Sequence, residues 1–304
     1  MHAHAHAHDH HHDHQHPHAP ALGDKRYTIA IALNLGFVVL EAGAGFSANS
    51  TALLADAAHN LSDVLGLALA GGATLLARRA ASDQRTYGYS KATVLAALAN
   101  ALVLVAACGG ILFEALQRLT APATLQPLLV MVMAAGGVII NGATALLFIA
   151  DRKHDVNVRG AFLHMLGDAG ISAGVIIAGA LIWWTHATWI DPLASLAIVV
   201  IIFWSTWGLL RESLDLAMDA APAHINVNAV RDYLRAQDGV TAVHDLHIWA
   251  MGAAAPALTA HLVRPEGNDD AFLAKLSDGI AHQFGIHHVT RQIERAQRDD
   301  CAEC

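Results

Sequence analysis

Six long apolar runs, separated by short polar segments, occupy the chain up to about residue 212. They lie near residues 27–47, 51–77, 92–117, 126–150, 158–184 and 190–211. Each run has the roughly 20 residues that an α-helix needs to cross the hydrocarbon core of a bilayer. The pattern therefore predicts an all-α domain of six transmembrane helices over residues 25–212.

Beyond Glu212 the apolar runs stop, and shorter segments with helical or alternating periodicity follow. In chain order they are a helix at 225–237, strands at 240–249 and 257–264, a helix at 270–284 and a strand at 288–294. This α-β-β-α-β order predicts a small cytosolic α+β domain over residues 213–304. Its fold would be ferredoxin-like, with both helices on one face of the sheet.

Residues 1–24 form a low-complexity tract in which histidines alternate with alanine and aspartate. Such a tract cannot build a core, so we expect a disordered cytosolic tail that collects metal weakly at many positions. An expression tag is the alternative interpretation. The irregular histidine spacing and the interspersed aspartates favour a native tail.

Basic residues cluster on one side of the predicted bundle. They lie before span one, in the loop between spans two and three, in the loop between spans four and five, and after span six. The loops on the opposite side carry almost no basic residues, and Arg118 is the exception. By the positive-inside rule, both termini face the cytoplasm of a cell (inner) membrane protein. We expect no signal peptide, because the N-terminus is polar and lacks a short apolar segment with a cleavage site.

The composition agrees with a membrane protein. The chain is 55% hydrophobic and 14% charged, with a mean hydropathy of +0.40, whereas average soluble domains carry about 25% charged residues. The formal net charge of −8 says little about partners. We expect a lipid bilayer around the bundle and no nucleic-acid partner.

Two predicted spans repeat a His-x-x-x-Asp motif, as His59 with Asp63 and His164 with Asp168. A four-residue spacing places both side chains of each motif on one helix face. Ionisable groups are costly at membrane depth, where they line a pathway or pair with each other. One such motif can be a helix cross-link, but two in the same orientation predict four nitrogen and oxygen ligands for a tetrahedral divalent metal.

The ligand chemistry suggests what these four residues do. Two carboxylates balance a divalent charge, and the imidazoles favour Zn, Co, Ni or Cd over Mg or Ca. Because the same groups bind protons when metal leaves, a site that opens alternately to each side exchanges metal for protons. We therefore predict a proton-coupled metal transporter.

Two other functions are alternatives. An intramembrane metalloenzyme is disfavoured, because no His-Glu-x-x-His is present and four ligands leave no open position, so we expect no enzyme. A membrane-anchored metal sensor or buffer would use the tail and the soluble domain. That function would leave six spans with buried ligands unexplained.

Other polar groups within the spans include Glu41 and Asn60. For most such groups we expect hydrogen bonds between helices, and Glu41 or Asn60 could also lie near the metal path. Cys108 is predicted to be a small buried hydrophobic residue. Asp191-Pro192 is predicted to open the sixth helix.

The C-terminal segment has a second set of metal-binding residue types. They are His244, His247, His261, His287, His288, Glu294, Cys301 and Cys304. A hairpin would present His244 and His261 on neighbouring strands, and the terminal Cys-x-x-Cys has the spacing of half a zinc site. A frayed terminus with free thiols is the alternative for the two cysteines.

With these residues in place, the chain resembles the cation diffusion facilitator family, in its bacterial zinc/cobalt/cadmium efflux branch. The resemblance covers nearly everything from about residue 25 to the end. It rests on Ala52-Leu-Leu-Ala-Asp-Ala-Ala-His59-Asn-Leu-Ser-Asp63, Arg85-Thr-Tyr-Gly-Tyr89, His164-Met-Leu-Gly-Asp168 and Val243-His-Asp-Leu-His-Ile-Trp249.

The resemblance implies a homodimer of six-helix protomers that exports metal such as zinc, cobalt or cadmium from the cytoplasm in exchange for protons. It implies a transport site made of the two His-x-x-x-Asp motifs. It also implies a cytosolic zinc cluster that stabilises or regulates the dimer. The cluster residues would be His244, His261, His287, Glu294, Cys301 and Cys304.

Overall fold

The structure is a computed structural model of the chain. It describes residues 25–121, 123–148, 156–253, 255–267 and 270–296. The predicted tail at 1–24 and the predicted ligands Cys301 and Cys304 lie outside these residues.

The described residues before residue 218 form six long helices. They are α1 (Lys25–Ala48), α2 (Thr51–Ala77), α3 (Ala92–Thr120), α4 (Pro127–Phe148), α5 (Val156–Thr185) and α6 (Ile190–Ala217). The helices α2 to α6 each contain a segment long and apolar enough to cross a membrane, and α1 contains the shorter apolar stretch Ala32–Ala48. The predicted helical bundle is confirmed, and the chain is a multi-pass membrane protein.

These six helices pack together as one bundle. The helix α2 packs against α1, α3, α5 and α6, while α4 lies along α5 and α3 lies along α6. Leu53, Leu104, Val130, Val175 and Ile202 come from five different helices and meet in a shared apolar core. Large apolar side chains cover much of the outer surface, as expected where lipid rather than water surrounds a bundle.

Small residues allow α4 and α5 to approach closely. A Cβ added at Gly137 would lie 2.7 Å from Ser172 Oγ, and one added at Gly179 would lie 2.8 Å from Met131 Cγ. Glycines at such contacts let membrane helices pack backbone to backbone. The contact also fixes the position of Ser172, which faces α2.

Asp191 joins the beginnings of α2 and α6. Its buried carboxylate accepts hydrogen bonds from Ser50 Oγ at 2.5 Å, the Thr51 amide at 2.7 Å and Thr51 Oγ at 2.9 Å. Ser50 in turn caps α2 by accepting from the Leu53 amide. The prediction that Asp191-Pro192 opens the sixth helix is confirmed.

The sixth helix is longer than its apolar run. It continues past the predicted end at residue 211 to Ala217, so the predicted domain boundary falls within a helix. The added turns are polar, with Arg211 and Asp215 4.0 Å apart on one face, and the chain then turns at Asp219, whose φ is +62°. The apolar run predicted only the segment of the helix that lies in lipid. The polar turns that follow are stabilised as helix in water by an i,i+4 charge pair.

The rest of the described chain forms a small α+β unit, as predicted. Its elements are α7 (Val227–Arg235), β1 (Ala242–Gly252), β2 (Ala255–Val263), α8 (Asp270–Phe284) and β3 (His288–Glu294). The sheet order is β1-β2-β3, with β1 antiparallel to β2 and β3 parallel to β2. The parallel pairing requires a crossover, which α8 supplies.

Alternation along the strands divides the sheet into two faces. Leu258, Ala260 and Leu262 of β2 pack with Leu234 of α7 and Ile280 of α8 in a second apolar core. Residues at the intervening positions point away from the helices. This leaves one open sheet face, on which the polar residues of β1, β2 and β3 collect.

The loop between α2 and α3 touches the α+β unit. Lys91 pairs with Asp219, the amide of Ala253 donates to Thr93 Oγ at 3.2 Å, and Tyr87 stacks edge-on against His288. The β1–β2 hairpin therefore rests against the start of α3.

Candidate metal centres

Both His-x-x-x-Asp motifs meet at the interface of α2 and α5. His59 Nε2 lies 3.1 Å from Asp168 Oδ1, and His164 Nε2 lies 3.3 Å from Asp63 Oδ2. Within each helix the His–Asp distances are longer, at 3.9 and 3.7 Å. Each histidine is thus closer to the aspartate of the other helix. We call these four residues the ligand ring.

The geometry of the ligand ring suits a metal ion. Ligand atoms of His59, Asp63 and Asp168 all lie within 4.8 Å of one another, and His164 completes the ring through Asp63. The Nδ1 atom of His59 is buried and has no hydrogen-bond partner among the described residues. Two imidazoles and two carboxylates supply the donor set that zinc-type cations prefer.

The ligand ring faces a cavity inside the bundle. This cavity has a volume of about 820 Å³, and residues of α2, α3, α5 and α6 line it. The side chains of Asp168 and His59 are only 4% and 10% exposed, whereas those of Asp63 and His164 are 27% and 44% exposed. One side of the ring is therefore enclosed by protein, and the other side meets the cavity.

Polar residues of α1, α2 and α5 support the enclosed side. Asn60 Nδ2 donates to Glu41 Oε2 at 3.0 Å, and Ser172 Oγ donates to Asp56 Oδ2 at 2.7 Å. The predicted interhelical hydrogen bonds of Glu41 and Asn60 are confirmed. Asp56 and Ser172 were missed by sequence reasoning, although Asp56 stands within the apolar run that carries His59.

A second group of possible ligands lies on the open sheet face. His244 Nε2 is 3.1 Å from Glu294 Oε2, and His261 Nδ1 is 3.2 Å from Glu294 Oε1. The ligand atoms of these three residues lie within 4.8 Å of one another. We call them the open-face cluster. The predicted pairing of His244 with His261 across the hairpin is confirmed.

Asp245 extends the open-face cluster in a way the sequence did not indicate. It has a φ of +50° at an irregularity in β1, so it leaves the normal strand alternation. Its Oδ2 lies 3.4 Å from His261 Nε2, and its Oδ1 lies 2.9 Å from His247 Nε2. The only available signal was its place between two histidines in Val243-His-Asp-Leu-His.

Both carboxylates of this region are held in the ionised form. The hydrogen bond with His247 lowers the pKa of Asp245 below its usual value. Burial works to raise the pKa of Glu294, but hydrogen bonds with Gln292 and His244 and the nearby His261 bring it below the usual value. Ionised carboxylates are the form that binds metal.

Among the described residues, His287 is a predicted ligand that does not belong to this group. His287 is exposed and precedes β3, whereas Glu294 ends that strand, so six residues of extended chain separate them. The predicted role of His287 stays a prediction, as do those of Cys301 and Cys304.

In the α2–α3 loop, Arg85 donates to Tyr89 at 3.0 Å and stacks on its ring.

Two family models match the chain over the parts just described. The first, described as the cation efflux transmembrane domain, matches residues 27–216. The second, described as the cation efflux protein cytoplasmic domain, matches residues 222–296. The chain belongs to the cation efflux family, the cation diffusion facilitators. The fold and the family expected from the sequence are both confirmed.

Named relatives of the chain are metal transporters. It is 32% identical over 272 residues to the cadmium, cobalt and zinc/H(+)-K(+) antiporter of Bacillus subtilis strain 168, covering 88% of this chain and 87% of the relative. It is 35% identical to the metal cation efflux system protein CzcD of Cupriavidus metallidurans, covering 91% and 88%. It is 34% identical to the zinc transporter ZitB of Escherichia coli K12, covering 89% and 87%.

Proposed function

We propose that the chain is a proton-coupled antiporter that exports Zn²⁺, and related cations such as Co²⁺, Cd²⁺ or Ni²⁺, from the cytoplasm. Transport takes place through the ligand ring at the α2–α5 interface. The observation that carries this proposal is the crosswise arrangement, in which each histidine lies closer to the aspartate of the other helix. The names of the relatives support the substrate class.

The crosswise arrangement gives metal and protons a common site. Without metal, a protonated histidine donates to the carboxylate of the opposite helix and holds α2 and α5 together. A divalent cation replaces those protons, because its charge is balanced by Asp63 and Asp168 and its coordination uses the imidazole nitrogens. Binding one species therefore expels the other, which is the requirement for exchange.

In this proposal the protein is a homodimer in the inner membrane with both termini in the cytoplasm. The open-face cluster then faces the cytosol and holds zinc as a structural or regulatory ion. The residues present fit such an ion, because His261 Nδ1 is buried, has no hydrogen-bond partner within the described part of the chain and lies 3.2 Å from Glu294 Oε1. His287, Cys301 and Cys304 would complete the cluster or contribute at the dimer interface.

The test of the transport function is flux in proteoliposomes. Purified protein would be reconstituted with separate dyes for zinc and protons, comparing wild type with His164→Ala and Asp63→Ala. We expect opposite zinc and proton fluxes in wild type and a loss of at least tenfold in both variants, since each removes one of four ligands. His186→Ala is the matched control, because His186 is an exposed histidine in the α5–α6 loop.

Two results would overturn the proposal. Zinc flux without an opposing proton flux would exclude the exchange mechanism. Zinc binding with no flux in wild type would instead favour the membrane-anchored sensor or buffer. Repeating the series with cobalt, cadmium and nickel would then determine the range of substrates.

A further inference from the structure

A second pair of acidic residues lies beside the ligand ring, deeper in the bundle. Glu41 of α1 and Asp56 of α2 are both fully buried, with 0% exposure. Neither belongs to the ligand ring. Ionised groups at such depth are costly, so their presence calls for a specific chemical state.

The hydrogen bonds of the pair account for two of its four oxygens. Glu41 Oε2 accepts from Asn60, and Asp56 Oδ2 accepts from Ser172. The other two oxygens, Glu41 Oε1 and Asp56 Oδ1, are buried without a donor among the described residues. Asp56 lies one turn before Asn60 on the same face of α2, so the hydrogen bond from Asn60 to Glu41 brings the two carboxyl groups together where α1 meets α2.

One proton resolves this arrangement. An ionised carboxylate only accepts hydrogen bonds, so two carboxylates can join only when one of them is protonated. Two like charges so close together in a low-dielectric interior cannot both ionise. A single proton shared between the Glu41 and Asp56 carboxyl groups makes one of them a donor and the other its acceptor.

The surroundings place that proton on Glu41. Asp56 accepts the hydroxyl of Ser172 and lies one turn before His59 on α2, where a protonated imidazole favours a negative charge. Glu41 accepts from the Asn60 amide, which is a neutral donor. The ionised form is therefore better stabilised at Asp56 than at Glu41.

We propose that Glu41, with Asp56 as its acceptor, is a proton-binding site separate from the ligand ring, and that it releases its proton to water when a divalent cation enters the ring. This inference rests on the proposed function. Asp56 lies three residues before His59, and Ser172 lies one turn after Asp168. A double positive charge in the ring favours negative charge on the pair.

The Glu41–Asp56 pair then adds one proton to the number exchanged for each metal ion. Its proton leaves as H⁺ when the cation binds, and a proton from solvent returns when the cation departs. The alternative is a permanently protonated Glu41 that only joins α1 to α2 as a structural contact. The two differ in whether the carboxylic acid persists when zinc is bound.

Proton release on zinc binding tests the proposal in the purified full-length protein. Calorimetric zinc titrations in buffers with different ionisation enthalpies give the number of protons released per zinc. Glu41→Gln keeps the shape and hydrogen bonds of the protonated acid but cannot lose that proton. We expect it to bind zinc with about one proton fewer released than wild type.

A matched control and a wild-type measurement complete the test. Glu114→Gln removes a carboxyl that pairs with Arg118 on α3 and is 43% exposed, so its proton count should equal that of wild type. In wild type itself, the infrared carbonyl band of a buried protonated carboxylic acid should disappear on zinc addition. This readout holds even if Glu41→Gln fails to fold.

The outcomes separate this proposal from the transport function. If wild type releases protons on binding zinc and Glu41→Gln releases the same number, the pair is only a structural contact. Persistence of the carbonyl band in zinc-bound wild type has the same meaning. If wild type releases no protons at all, proton coupling itself is wrong.

Discussion

At the scale of residues, both candidate centres are built from histidine–carboxylate contacts, but in different surroundings. The ligand ring joins two helices inside the bundle, whereas the open-face cluster lies on a sheet and has one residue on each of three strands. In the cluster, Glu294 contacts both histidines. Its protonation state therefore decides whether the three residues attract or repel one another.

The stability of the α+β unit should depend on pH through Glu294. Because the folded-state pKa lies below the usual value of 4.5, the carboxylate stabilises the fold above that pH, and this contribution is lost as pH falls through the folded-state pKa. In metal-free buffer, Glu294→Gln should melt below wild type at pH 7, and the difference should narrow below about pH 4.5. Thermal melts of full-length protein in detergent measure both.

The matched control for this series is Glu266→Gln, because Glu266 is an exposed glutamate of the same unit. Its melting temperature should follow that of wild type at every pH. A difference for Glu294→Gln that stays constant from pH 7 down to pH 3 would contradict the role assigned to the carboxylate.

At the scale of elements, the position of the ligand ring depends on how α2 is held at its beginning. The contacts of Asp191 with Ser50 and Thr51 fix the start of α2 against the start of α6. His59 lies about two turns further along α2. A looser start would therefore displace one half of the ring relative to α5.

Removing the Asp191 carboxylate should destabilise the bundle. Asp191→Ala leaves three buried donors without an acceptor, and each such donor costs about 1–3 kcal/mol. We expect a total loss of about 3 kcal/mol and a melting temperature in detergent lower by several degrees. Asp278→Ala, at an exposed position on α8, should melt like wild type. An unchanged melting temperature for Asp191→Ala would show that α2 is held elsewhere.

The sequence predicted elements better than contacts between them. Hydropathy located the six spans, and period-two alternation located the strands, because each depends on burial along one segment. The neighbours of α2 could not be read in this way. The meeting of Glu41 with Asp56, and of Ser172 with Asp56, depends on helix packing, to which small residues such as Gly137 contribute.

For the candidate site too, the sequence predicted which residues take part but not which residues of different helices contact each other. The four-residue spacing placed each histidine on the same face as its own aspartate, but the closer partner is the aspartate of the other helix. Asp245 was missed because alternation assumes regular extended backbone, and its positive φ breaks that assumption.

At the scale of the whole molecule, the membrane bundle and the α+β unit meet at a small set of contacts. The β1 strand supplies His244 to the open-face cluster, and the hairpin that follows it donates from Ala253 to Thr93. A movement of the hairpin would therefore change a direct contact with the start of α3. The Lys91–Asp219 pair is exposed, so on its own it adds little stability.

The His-rich tail provides a test of what the whole molecule does. A chain lacking residues 1–24 should keep zinc flux within about twofold of wild type, because it retains every residue of the ligand ring. A metal buffer would lose much of its capacity, since ten of the 21 histidines lie in that segment. Zinc uptake into proteoliposomes and total zinc bound per chain distinguish the two.

A matched comparison replaces the histidines of the tail by glutamine at full length. This variant should transport like the truncated chain and like wild type. Loss of flux in both altered chains would mean that the tail delivers metal to the transport site, rather than only collecting it.

The unequal exposure of the ligand ring sets an order for binding events. A cation that arrives through the cavity meets His164 and Asp63 first and reaches His59 and Asp168 last, because the latter two are enclosed. His164 and Asp63 would therefore determine how fast the cation binds, and His59 and Asp168 how long it stays bound. Substitution of His164 should slow association, whereas substitution of His59 should speed dissociation, so the two variants would reach similar affinities by opposite kinetic routes.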